Sequence, residues 1–328
     1  MSKVLGLGNA LVDIITKLDD DSLLERLYIP KGSMQMVDKA FMQETIELTK
    51  HIPQTLAAGG SAANTIHGLA NLGIKTAFIG KIGNDPLGNT FETNMIDNGI
   101  NPIMLRGKDE TGRALALVTP DSERTFVDYL GAAIEMTAED LSPEMFDGYS
   151  YFHIEGYLVQ NHRLILRALE IAHEKGLTIS LDMASYNVVE ENREFLKEII
   201  QKYISIVFAN EEEAQSFTGK SPEESLEILG GMVPIAVVKL GSLGSMVKRG
   251  NEKVNVGIID VNCIDTTGAG DLYAAGFLYG LIKNLSLDKC GKIGAILSGH
   301  VIEVLGPKMD IKRWNRIKKQ VEIVEMES

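Results

Sequence analysis

Short, mainly apolar runs recur along the chain at intervals filled by longer stretches of helical spacing. VLGL (4–7), TAFIG (76–80), YFHI (151–154), TISL (178–181), IVFA (206–209) and IAVV (235–238) are too short for helices and read as buried strands. Between them lie segments such as LILRALEIAHEK, whose apolar positions return every three or four residues. Punctuation agrees with this reading. Asp38 can open a helix that runs through His51, Ser61 another that ends at Gly73, and Asp85-Pro86 a third that stops at Gly99. Strands alternating with helices predict an α/β fold, a doubly wound and mainly parallel sheet with helices on both faces.

Two segments break this rhythm. Residues 14–37 carry turn signals and short apolar pairs, and TGRALALVTPDSERTFVDYL (111–130) reads as a β-hairpin with a PDSE turn. We expect both to form a small β lid made by insertions, 14–37 and 111–130. Residues 1–13, 38–110 and 131–328 would then make one large α/β domain.

Composition narrows the partners. The 328 residues carry 45 acidic against 32 basic side chains, a net charge of −13, which disfavours nucleic acid and anionic membrane surfaces. Two cysteines cannot build a disulfide framework and fit a reducing compartment. The apolar N-terminal stretch is interrupted by Asn9 and Asp13 and reads as a first strand, not a leader. No apolar run approaches the roughly 18 to 20 residues of a membrane span. The expectation is a cytoplasmic protein that handles small molecules, as a monomer or homodimer.

The densest chemical signal is DTTGAGD (265–271), placed before the apolar run LYAAGFLYGL. Glycines before a helix expose backbone N–H groups at the positive end of its dipole, where an anion binds. Gly268 and Gly270 allow close approach, Ala269 adds little bulk, and Asp271 beside them could take a proton from an attacking hydroxyl. From these residues alone a plain helix start, with Asp265 or Thr266 as its cap, remains equally open. Rival motifs fail: GLGNAL (6–11) has Leu11 at the third glycine position of a dinucleotide fingerprint, and TGKS (218–221) has Ala214 where a P-loop needs glycine. The six histidines show no metal spacing, and no G-x-S-x-G elbow occurs.

Taken together, DTTGAGD with LYAAGF, AGGSAANT (58–65), GKIGNDPLG (80–88), NEEE (210–213) and VKLGSLGS (238–245) resemble the PfkB (ribokinase-like) kinases, in the family's order. The resemblance implies transfer of the γ-phosphoryl group of ATP to a hydroxymethyl group, with Mg2+ and with K+ as an optional monovalent ion. It implies Asp271 as base and the amides of Gly268, Ala269 and Gly270 as an anion hole. Asn210 and Glu213 would organise Mg2+ indirectly, and Lys239, Gly241, Gly244 and Thr266 would lie along the nucleotide. GNALVDI (8–14) is similar to the bacterial adenosine-kinase-like branch, which implies ribose contacts from Asn9 and Asp13, with Gly59, Gly60 and Asn64 opposite. Gln35 and Phe126 would meet a base, and Arg124 would reach the transferring phosphate. Asp128 departs from that branch, which has a small or apolar residue there; turned inward, it would favour a polar nucleoside or a sugar. The leading expectation is adenosine phosphorylation to AMP, the alternative a sugar kinase for ribose or fructose. A non-catalytic binding homologue is the third reading.

Overall fold

The short apolar runs pair into a nine-stranded sheet in the computed structural model, which describes residues 2–121 and 123–327. Its strands lie in the order Glu252–Val256, Ser245–Arg249, Ile235–Lys239, Ile206–Asn210, Thr178–Asp182, Tyr151–Glu155, Lys3–Leu7, Lys75–Ile82 and Ile100–Arg106. All neighbours from Ile235–Lys239 to Ile100–Arg106 are parallel, and the hairpin at the other edge is antiparallel. Each central strand is buried on both faces, which is why it reads as a continuous apolar run. Ile206, Phe208, Ile235 and Val237 join a core beneath Ser61–Asn71, Ala269–Ile282 and Leu287–Val301. Val207, Ala209, Ala236 and Val238 join a second core beneath His162–Glu174 and Arg193–Tyr203. The expected α/β fold stands.

Caps fix the helix starts. Asp38 accepts from the Phe41 amide at 2.9 Å and Asp85 from Gly88 at 2.9 Å. Ser61 is different: Gly60, at φ 96°, caps that helix, and the Ser61 side chain points elsewhere.

The second sheet is broader than the expected lid. Its five strands run Met34–Met36, Arg124–Gly131, Thr111–Val118, Leu11–Lys17 and Gln54–Gly59. The boundaries at 14 and 38 therefore need correction, because Leu11–Asp13 and Gln54–Gly59 belong to this sheet and not to the large one. QTLAAG escapes notice because its small and polar residues carry no apolar alternation; it is held by its pairing with Leu11–Lys17. The strands flanking the PDSE turn pair antiparallel, and Ser122 of that turn lies outside the described residues. Among the described residues no helix is long and apolar enough to cross a membrane.

Candidate active site

Parallel strands end in polar residues at one edge of the large sheet. Glu155, Asp182, Asn210 and Lys239 are each the last residue of a strand, and all four line a cleft of about 1690 Å³ at the strands' carboxyl ends. That is where open α/β sheets bind ligands. The second sheet forms the opposite wall, and the DTTGAGD turn closes one end.

Within that turn Gly268 has φ 76°, which reverses the chain into helix Ala269–Ile282 and sets Asp271 in its first turn. The Ala269 amide closes the turn onto the Thr266 carbonyl at 3.1 Å, so the anion hole is left to the amides of Gly268 and Gly270. Lys239 approaches from below: a Cβ on Gly270 would lie 2.9 Å from its Nζ. Burial disfavours the lysine's charge, but Asp182, at 2.8 Å, and Glu213 hold its ammonium above the usual range. A fixed cation therefore sits against the turn.

Asp271 accepts a hydrogen bond from Ser61 Oγ at 2.7 Å and another from Asn64 Nδ2 at 3.0 Å. Burial pushes its carboxyl up to about 6, against the pull of those donors. This is the range suited to a general base near neutral pH. Lys308 Nζ donates to Asn64 Oδ1 at 3.0 Å and so fixes which end of that amide faces Asp271. Burial draws Lys308 down to about 8, while Asp13 and Asp271 oppose the shift.

Asp13 comes from the second sheet, packed over Gly59, where a Cβ would come within 2.0 Å of its carboxylate. Burial pushes Asp13 up to about 7, with Lys308 opposing and Asp271 adding to the rise. Asn9 lines the same end. Its amide Nδ2 and its backbone N–H both go to Glu155 Oε1, at 2.8 and 2.9 Å, while Ala62 N–H donates to Glu155 Oε2 at 2.9 Å. Glu155 thus ties the first strand to the Gly60–Ala62 turn, and burial pushes it up to about 7. Asn9 Oδ1 and the second Nδ2 hydrogen are left for a ligand.

Asn210 and Glu213 form a reciprocal helix cap. Asn210 N–H and Nδ2 donate to the two Glu213 oxygens at 2.8 Å each, and Asn210 Oδ1 accepts from the Glu213 amide at 2.8 Å. Burial pushes Glu213 up to about 7, with the Lys239 ammonium lowering it. Both carboxylate oxygens are engaged, and no cluster of three metal-ligating side chains exists among the described residues. The pair suits contact with a metal's water shell better than direct ligation.

Most expected residues meet in this cleft: Asn9, Asp13, Gly60, Asn64, Phe126, Asn210, Glu213, Lys239, Gly241, Gly244 and the residues 268–271. Gly59 stands behind Asp13. Besides the Ala269 amide, which the turn itself engages, three expectations need correction. Gln35 turns away from the cleft and donates to Ser33 Oγ at 3.1 Å, because strand alternation gives the cleft face to Met34 and Met36. Thr266 is exposed, and its neighbour Thr267 lines the cleft instead. Arg124 is not part of the cleft lining: its guanidinium pairs with buried Asp265 and reaches Thr267 Oγ1 at 3.3 Å, joining the second sheet to the turn. Asp265 in turn accepts from the Thr267 amide at 2.7 Å. The direction of Asp128 is also settled: it lines the cleft.

Comparison with known proteins agrees with this geometry. The pfkB family carbohydrate kinase pattern matches residues 36–312. The adenosine kinase structure from Sinorhizobium meliloti superposes with a TM-score of 0.87 at 35% identity, over 97% of this chain and 99% of that one. A probable sugar kinase from Rhizobium etli gives the same TM-score, 0.87, at 33% identity, over 97% and 98%. A nucleoside kinase of Methanocaldococcus jannaschii is 28% identical over 267 residues, 80% of this chain and 85% of that protein. A pattern that spans most of both sheets, on a turn and cleft built as described, leaves one conclusion: this chain belongs to the pfkB family of carbohydrate kinases.

Proposed function

We propose that this kinase transfers the γ-phosphoryl group of ATP to the 5′-hydroxymethyl of a nucleoside, with adenosine, giving AMP, as the leading acceptor. The observation that carries the reading is the position of Asp271. Its carboxylate stands in the first turn of a helix, held by Ser61 and Asn64, between the open amides of the turn and the acceptor end of the cleft.

Asp271 takes the proton of the acceptor hydroxyl as its oxygen bonds to the γ-phosphorus and the bond to the β,γ-bridging oxygen breaks, releasing ADP. The amides of Gly268 and Gly270, with the Lys239 ammonium behind them, face the charge that builds on the phosphoryl oxygens; losing one such donor typically costs about 10² to 10³ in rate. Asp13 and Asn9 Oδ1 accept hydrogen bonds from the sugar hydroxyls and hold the 5′ carbon toward Asp271. Asn210 and Glu213 would hold the water shell of Mg2+, which when bound neutralises phosphate charge. Phe126, on the cleft wall, offers a ring face to the base.

The test is product analysis with ATP and Mg2+ across adenosine, guanosine, inosine, cytidine, ribose and fructose. Formation of a nucleoside 5′-monophosphate at the highest kcat/KM supports the reading, and a preference for a free sugar refutes it.

A further inference from the structure

In-register pairing lays one row of side chains across the second sheet. Asp13 pairs with Ala114, Ala114 with Asp128, and Asp128 with Met36. All four line the cleft, so the row lies on its cleft face. The rows beside it on that face carry Leu11, Leu130, Met34 and Phe126. Two carboxylates thus stand in an otherwise apolar wall, with only the methyl of Ala114 between them.

They are not equivalent. Asp13 is at the inner end, where Lys308 and the reacting groups surround it. Asp128 is two strands further along, about 10 Å away from strand spacing. It is 7% exposed: Oδ1 is enclosed, Oδ2 is the oxygen open to the cleft, and among the described residues neither has a hydrogen-bond partner and no cation pairs with them. Burial, aided by the charge of Asp13, pushes its carboxyl up to about 7. Either protonation state still presents an acceptor oxygen. A buried polar group left unmatched by the fold is costly and points to a partner from outside.

We propose that Asp128 is a specificity-determining residue of the acceptor site and accepts a hydrogen bond from an N–H donor at the end of the acceptor remote from the reacting hydroxyl. The inference rests on the nucleoside reading and deepens it. With the reacting hydroxyl at Asp271 and the ring hydroxyls at Asp13, a single sugar ring stops short of Asp128. A base carried on that ring reaches it, lying along Phe126 with its exocyclic amine toward the carboxyl. The polar departure at position 128 therefore selects among bases and does not argue for a smaller acceptor.

The experiment compares kcat/KM for adenosine and purine riboside, which lacks only the 6-amino group, in wild type, Asp128→Ala and Asp128→Asn. Wild type should prefer adenosine by about 10- to 100-fold, the value of a hydrogen bond to a buried carboxyl. Asp128→Ala should bring the two substrates within about threefold, through loss on adenosine alone. Asp128→Asn, which keeps an acceptor oxygen, should restore part of the preference; thermal melting confirms that both variants fold. A preference unmoved in Asp128→Ala, or absent from wild type, overturns the inference while nucleoside kinase activity stands. Turnover of free sugars but of neither nucleoside overturns the underlying reading and the inference together.

Discussion

Replacing Asp271 by Asn tests the proposed base apart from its surroundings. The side chains are nearly isosteric, and the local hydrogen bonds show how the amide would sit. Lys308 holds Asn64 Oδ1, so Asn64 Nδ2 must still donate toward position 271, and the new amide oxygen accepts that bond. The new NH2 then faces Ser61 Oγ, whose hydroxyl can rotate to accept. Neither neighbour is left unmatched, and a buried carboxylate is removed, so stability should hold or rise slightly. Turnover should not survive. Without a carboxylate the hydroxyl proton has no acceptor, and the expected loss is about 10² to 10⁴, or about 2.7 to 5.4 kcal/mol of transition-state stabilisation. A coupled ADP-release assay at saturating ATP and acceptor reads this, with thermal melting alongside. In wild type the sign with pH follows: Asp271 is pushed up to about 6, its ionised form is the competent one, and activity falls as pH drops through that value. Asp271→Asn should lose that limb. Wild-type turnover in a folded Asp271→Asn would refute the assignment.

Asp13→Ala should weaken use of the acceptor by roughly 10- to 150-fold in kcat/KM while the ATP KM moves little; equal effects on both substrates would place Asp13 elsewhere. Lys308→Met removes the cation that opposes protonation of Asp13, so the acceptor KM should start to rise at higher pH than in wild type, and an unmoved KM profile would make Lys308 a packing residue. Arg124→Ala leaves Asp265 buried without its cation, and breaking such a pair costs about 3 to 5 kcal/mol, an upper bound here because backbone amides still serve Asp265; denaturant melts that coincide with wild type would refute a joining role. Asp13, Asp128, Glu155, Glu213 and Asp271 all have carboxyls raised by burial, to between about 6 and about 7. Between pH 4 and 7 the folded chain thus binds more protons than the unfolded one, so the ligand-free protein should melt at higher temperature at pH 6 than at pH 8.

What could be read from the sequence divides along a physical line. Continuous apolar runs and capping residues report on their own neighbourhoods, so the parallel strands and the helix starts at Asp38 and Asp85 were legible. The turn at 265–271 was legible for the same reason, since its glycines, the helix start and the Asp271 carboxylate lie within one heptapeptide. Gln35 was not: a three-residue strand has too little alternation to set its phase, and only the pairing of Met34 with Phe126 and Met36 with Asp128 does so. Ser61 looked like an ordinary cap because its partner, Asp271, is 210 residues away. Lys308 gave no local signal at all, being brought to Asn64 across 244 residues. Glu155 and Asp182 did leave a trace, a lone acid ending an apolar strand in YFHIE and TISLD, where an outward solvent position is not available in a sheet covered on both faces.

On the proposed reading, the placement of these acids lets one cleft serve an anionic and a neutral ligand at once. The nucleotide end would offer the open amides of the turn and the Lys239 ammonium, whose charge is secured by Asp182 and Glu213. The acceptor end concentrates hydrogen-bond acceptors, in Asp13, Asp128 and Asn9 Oδ1, within an apolar wall. A phosphate straying to the acceptor end would meet carboxylates, and a polyol at the nucleotide end would leave the amides and lysine unmatched. Asp271 stands at the boundary, where the two gradients meet, with Lys308 opposing the repulsion between it and Asp13. On that reading the orientation of both substrates would follow from where charge is buried, with the arginine that joins the second sheet to the turn holding the two walls together.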